Sequence, residues 1–310
     1  MRRRPRRFWL GCLVLAGYTL LALFSSWLAP FDPRLVTGSP LAPPGHGHLL
    51  GTNDLGQDTL SQLVHGTRGT LIVVALVTAI STALSWLAGL AAGFFRFWET
   101  SLMPIADLLL ALPSLPLYLL ILTLAGSNRL TLILTLAGTS WPAFAKIVRS
   151  VVITTRSAPY VEASSALGAS RIWLMRRHML PTTLDVLPAK LVLTARFAVF
   201  AEATLGFLGV ASGDRVSWGM MLNWAFSDPL LFSRPVWPWL VLPPSVAIGL
   251  LVLAITWIGA GVSAPHLQQA TWSIRAGRHS LLRSPREVIP PPPHRTPSGA
   301  GAIRAGGRQV

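Results

Sequence analysis

Residues 71–95 read LIVVALVTAISTALSWLAGLAAGFF and hold no ionisable side chain. An α-helix needs about 20 apolar residues to cross the hydrocarbon core of a bilayer, so this run predicts a membrane-spanning helix. Five further stretches share its character, at 8–28, 102–125, 130–148, 186–210 and 241–262. The expected fold class is an all-α integral membrane protein with six transmembrane helices.

Composition supports that reading. Of 310 residues, 52% are hydrophobic and 12% charged, and the mean hydropathy is +0.54. Soluble domains average about 25% charged residues, and disordered chains need low hydrophobicity. Cys12 is the lone cysteine, which excludes an internal disulfide and a cysteine-rich metal cage.

The net charge of +15 raises nucleic acid as a partner until its distribution is considered. Of 26 basic residues only Lys146 and Lys190 are lysines, and the arginines bracket apolar stretches instead of covering one face. With a cytoplasmic N-terminus, the inner side holds five (Arg2 to Arg7), one (Arg96), seven (Lys146 to Lys190) and seven (Arg275 to Arg308). The outer side holds five single arginines, and Arg196 lies within the fifth span. Basic residues accumulate on the cytoplasmic side, so both termini are expected there. The basic start and long apolar run read as an uncleaved signal anchor.

The chain thus divides into a basic N-terminus with the first span (1–28), an external loop (29–70), a core of five spans (71–265) and an Arg/Pro/Gly-rich tail (266–310). The tail, with Pro290-Pro-Pro-Pro293, reads as disordered.

Few residues offer chemistry. A phosphate-cradling loop needs a lysine after glycine, and both lysines here follow alanine, so ATP, if it drives the protein, binds to another polypeptide. His46, His48 and His65 suggest an external metal site, weighed against a solvated Gly/Pro-rich loop, which is preferred. Asp54 and Asp58 fit a loop entering a helix, with Asp58 near the helix N-terminus. Within spans, Asp107, Arg196 and Glu202 are functional suspects, and Asp107 and Glu202 are candidates for a translocation path. Pro104, Pro113 and Pro116 interrupt the third span and Pro142 the fourth; such breaks line a path or serve as packing kinks.

The inner loop is the most informative segment. Pro159 suits the first turn of a helix, Glu162 favours its positive end, and Gly168 can close it with a left-handed cap. Ser170 can cap a second helix that stops at Pro181, with Ile172, Met175 and Met179 along one stripe and Arg171, Arg176 and Arg177 outward. This compact protrusion reads either as a surface amphipathic helix or as a docking element for a cytoplasmic partner.

Glu162-Ala-Ser-Ser-Ala-Leu-Gly168 followed by Arg177-His-Met-Leu-Pro181 resembles the cytoplasmic EAA loop of binding-protein-dependent ABC importer permeases. Four more segments resemble the dipeptide/oligopeptide subfamily, its C-type subunit in particular. They are His48-Leu-Leu-Gly-Thr-Asn-Asp-Leu-Gly-Gln-Asp58, Asp107-Leu-Leu-Leu-Ala-Leu-Pro-Ser-Leu-Pro116, Glu202-Ala-Thr-Leu-Gly-Phe-Leu-Gly209 and Ser217-Trp-Gly-Met-Met-Leu222. The sequence departs from the pattern at Ser164, at Gln57, and at Gly259-Ala-Gly261 with its uncharged ending.

The resemblance implies the type I importer fold, a five-helix core plus an N-terminal span, in the bacterial inner membrane. It implies a coupling loop at 155–182, with Glu162, Ala163, Leu167, Gly168, Ile172, Leu180 and Pro181 as its marked residues. It also implies a second homologous permease subunit, two cytoplasmic ATPase subunits that use ATP and Mg, and an external solute-binding protein. The chain itself is expected to bind no cofactor, no metal and no nucleic acid, and to perform no bond chemistry. Alternating access would carry a di- or oligopeptide or related small solute. The competing reading is an ion-coupled secondary transporter or channel using Asp107, Arg196 and Glu202.

Overall fold

The computed structural model describes residues 5–210 and 216–281. Met1–Ala264 forms one compact unit and Pro265–Val310 a second. Among the described residues the regular elements are helices, joined by a loop with two isolated β-bridges, Val36 to Gln57 and Thr52 to Asp58.

The first unit begins with α1 (Arg6–Leu23) and α2 (Ser25–Leu28), followed by the loop expected to be external. Helix α3 (Thr59–Phe94) starts well before residue 71, so its first turns occupy part of the stretch expected to be loop. The cause is local: the Asp58 carboxylate accepts from the Ser61 amide at 2.8 Å and caps the helix, which fulfils the expectation for Asp58.

Phe95 alone separates α3 from α4 (Arg96–Ala111). Helix α5 (Ser114–Ala125) then departs from α4 at 100°, where one continuous span was expected over 102–125. Pro113 disfavours helical geometry at Leu112, whose φ of −80° and ψ of 138° are extended. The fourth span is stepped as well: α6 (Arg129–Thr139) ends at Ser140, and α7 (Pro142–Arg156) begins with Pro142 in its first turn.

The inner loop holds α8 (Pro159–Ala166), α9 (Arg171–Leu174), a wide π-turn at Met175–Met179 and α10 (Leu180–Leu184). The second helix therefore does not stop at Pro181. Widening of the preceding turn lets the proline ring enter the first turn of α10, where its missing N–H is harmless. Helices α11 (Leu187–Phe207), α12 (Trp218–Ser227) and α13 (Trp237–Leu281) follow.

Four helical stretches are long and apolar enough to cross a membrane: Arg6–Leu23, Thr59–Phe94, Arg129–Arg156 and Trp237–Gly261. The bent pair α4 and α5 makes a fifth if taken as one span. Helix α11 has 21 residues but carries Lys190, Arg196 and Glu202.

Helix α3 is the axis of the unit, packing against α1, α4, α6, α7, α11 and α12. Its contact with α7 is close because of two glycines one turn apart. A Cβ on Gly89 would stand 2.5 Å from the Ala145 carbonyl oxygen, and one on Gly93 2.6 Å from Val152 Cβ. The main core joins Val73, Val77, Leu136, Val199, Trp218 and Leu251 from α3, α6, α11, α12 and α13.

Helix α13 runs on as far as Leu281, within the stretch 266–310 expected to be a disordered tail. Between Pro265 and Gly277 the chain holds neither proline nor glycine, which leaves nothing to interrupt a helix. The remainder of the expected disordered tail, 282–310, lies outside the described residues.

Candidate functional site

The inner loop is a built element. Helix α8 ends in a pair of crossed bonds: the Gly168 amide donates to the Ser165 carbonyl at 3.0 Å and the Ala169 amide to Ser164 at 3.1 Å. This pattern needs a left-handed residue, and Gly168 has φ of +88°. Ser170 then caps α9 by accepting from the Trp173 amide at 3.3 Å.

A second core cluster attaches this element to the membrane helices. Val161 of α8, Leu174 of α9 and Met179 of the π-turn pack with Leu90 of α3 and with Phe144, Val148 and Val152 of α7. Polar pins reinforce the junction: Trp86 Nε1 donates to Thr183 Oγ1 at 3.0 Å, and Thr155 and Thr182 share a hydrogen bond of 3.3 Å. His178 stands between Tyr160 and Trp173, with ring centroids at 5.4 and 5.5 Å, and so ties α8 to the following turn.

The outward face carries what the inward face does not need. Leu167 is 89% exposed and Ile172 63%, beside exposed Tyr160 and Trp173. Glu162 and Ala163 are exposed on α8, Leu180 is half-buried against the second cluster, and Pro181 is exposed. The expected stripe of Ile172, Met175 and Met179 is corrected: Ile172 points out, Met179 is buried and Met175 is intermediate. The π-turn advances the chain by less angle per residue than an α-helix, which rotates the later positions off the stripe.

The residues expected along a path are not brought together. Asp107 is exposed on α4 and pairs with Lys146 of α7, and nearby Arg149 of α7 pairs with Glu99 of α4. Pro113 caps the start of α5 and Pro116 lies exposed in its first turn. Glu202 is 2% exposed, accepting from Thr70 Oγ1 at 3.2 Å and bonded to the Ser217 side chain, near the charge of Arg129. It joins α3, α11 and the start of α12.

Lys190, expected among the inner-loop cations, lies instead on a helix. It is 5% exposed on α11, and its ammonium donates to the Ser140 carbonyl at 3.0 Å. The signal for it in the sequence is a lysine within the apolar stretch 186–210. In the loop before α3, His48 Nδ1 bonds the Asp58 carboxylate at 2.9 Å while His46 is exposed. Among the described residues no three His, Cys, Asp or Glu side chains are grouped to hold a metal ion.

Comparison with known proteins adds to this geometry. Residues 81–264 match the model of the binding-protein-dependent transport system inner membrane component family. A peptide transport system permease protein of Brucella suis biovar 1 is 32% identical over 261 residues, covering 84% of this chain and 86% of the relative. The di/tripeptide transport system permease protein DppC of Pseudomonas aeruginosa is 34% identical, covering 81% of this chain and 84% of the relative. The match runs from Ser81 in α3 through the anchored inner-loop element, α11 and α12 to Ala264 within α13. The chain belongs to the family of binding-protein-dependent transport system inner membrane components.

Proposed function

We propose that this chain is the permease subunit through which an ATP-driven importer passes di- or oligopeptides, working by alternating access. The observation that carries the reading is the inner-loop element, whose buried side is fixed to α3 and α7 while Leu167, Ile172 and Trp173 stand exposed. An apolar face on a rigid, anchored projection is suited to burial against a partner and to transmitting its motion. The names of the relatives support peptides as cargo.

In this reading six spans cross the inner membrane, with α11 as one of them and both ends cytoplasmic. Glu162, Ala163, Leu167, Gly168, Ile172, Leu180 and Pro181 belong to the coupling loop, with Leu180 on its inward side. ATP and Mg are handled by two ATPase subunits. A second homologous permease completes the path, and an external solute-binding protein delivers cargo.

The test uses Gly168→Val and Glu162→Lys. A Cβ at Gly168 would meet nothing within 4 Å, so the strain is conformational and costs about 1 kcal/mol or more at positive φ. Both variants are expected in the membrane at normal abundance, with reduced copurification of the ATPase and lost coupling of hydrolysis to uptake. Normal association and uptake in both would reject the coupling role.

A further inference from the structure

A cavity of about 420 Å³ opens where the chain breaks its own helices. Its walls are the end of α4, the start of α5, the step between α6 and α7, and the first turns of α11. Most of the lining is apolar. Lys190 is the one lysine, arginine or carboxylate side chain among its described lining residues, accompanied by the hydroxyl-bearing Ser114, Tyr118, Thr139, Ser140 and Thr194.

The surroundings of that ammonium are one-sided. It donates to the Ser140 carbonyl, which the end of α6 at the step leaves outside the helical ladder, and it stands 5.4 Å over the Phe144 ring. Lys190 forms no ion pair with a carboxylate among the described residues. Asp107 of α4 is engaged by Lys146. An ammonium has three protons to donate, and a buried cation is strongly stabilised by an opposite charge. The cavity therefore complements a ligand with a small apolar body and one anionic end.

We propose that Lys190 receives the C-terminal carboxylate of a short peptide as it passes through this cavity, resting on the peptide-importer reading above. The side chain then exchanges a backbone carbonyl contact for a charge-assisted one without leaving its packing. Because Lys190 follows α10 by a few residues, movement of the inner-loop element would be felt at this contact.

The experiment uses the full importer reconstituted in vesicles with saturating solute-binding protein, and radiolabelled dialanine as the probe. Lys190→Gln keeps a neutral donor for the Ser140 carbonyl but removes the charge, and Lys190→Arg keeps the charge. Expected are normal subunit copurification and basal ATP hydrolysis in both. Maximal dialanine uptake should fall ten-fold or more in Lys190→Gln and stay within about three-fold of wild type in Lys190→Arg. Wild-type uptake by Lys190→Gln would overturn the proposal and leave Lys190 as a structural pin. If Lys190→Gln fails to assemble, Ala143→Trp decides, because Ala143 is an exposed lining residue whose enlargement fills the cavity without touching the lysine contact. An assembled Ala143→Trp complex that imports normally excludes the cavity from the route, and one that is blocked supports it. Failure of the wild-type complex to import dialanine or any other peptide would instead reject the peptide reading itself.

Discussion

Two glycines separate close approach from mere tolerance. Gly219 lies so near α11 that a Cβ would stand 2.5 Å from the Ala203 carbonyl oxygen and 2.9 Å from its Cα, backbone atoms that cannot rotate away. Gly219→Ala should destabilise the purified permease by about 1–3 kcal/mol, read as a fall in its thermal midpoint in detergent. Gly249, on α13, would place a Cβ against nothing within 4 Å. Gly249→Ala should leave the midpoint unchanged or raise it, since alanine is the better helix former by about 1 kcal/mol. A fall of equal size in both would refute the packing argument. Asp58 shows what a single residue discloses in advance. Its role as a cap was legible because capping is local, whereas its bond to His48 was not, because that contact depends on how the loop before α3 returns.

At the scale of elements, the proposed coupling role requires the inner loop to stay rigid, which it can do only while its root is buried. Val161 is 2% exposed and packs in the cluster with Val148, Val152, Leu174 and Met179. Val161→Asp places a carboxylate there without a partner, a cost of several kcal/mol that α8 can relieve by lifting off α7. The expected outcome is normal membrane abundance, faster proteolytic cleavage within residues 157–170, and ATP hydrolysis no longer stimulated by loaded binding protein. Retained protection with full stimulation would mean that the root does not transmit force. The helix–glycine–helix plan of this element was legible because Pro159, Glu162, Gly168 and Ser170 each act within a few residues of themselves. The π-turn was not, since Met175–Met179 carries no local signal for a wider turn and its geometry answers to the packing of Met179. The break between α4 and α5 lies between these cases: Pro113 announced an interruption, while the 100° angle depends on what packs on either side.

For the whole molecule, the number of crossings turns on α11. Its length suits a span, but Lys190, Arg196 and Glu202 lower its apolar character, and without it the chain has five crossings instead of six. Two of those three side chains are buried within the protein, Lys190 against Ser140 and Glu202 against Thr70, so their polarity is not presented to lipid. Composition alone could not disclose this, because burial between helices follows from packing and not from the local sequence. The two counts give opposite sidedness for everything after α11. If α11 crosses and the N-terminus is cytoplasmic, a reporter fused after Gly213 lies outside and one fused after His266 lies inside. If α11 does not cross, both positions invert. Alkaline phosphatase fusions should therefore be active at Gly213 and inactive at His266, with the reverse pattern for a fluorescent protein that matures in the cytoplasm. The opposite result at both sites would remove α11 from the membrane, place Lys190 outside any path and leave the coupling element without its expected connection to the last two helices.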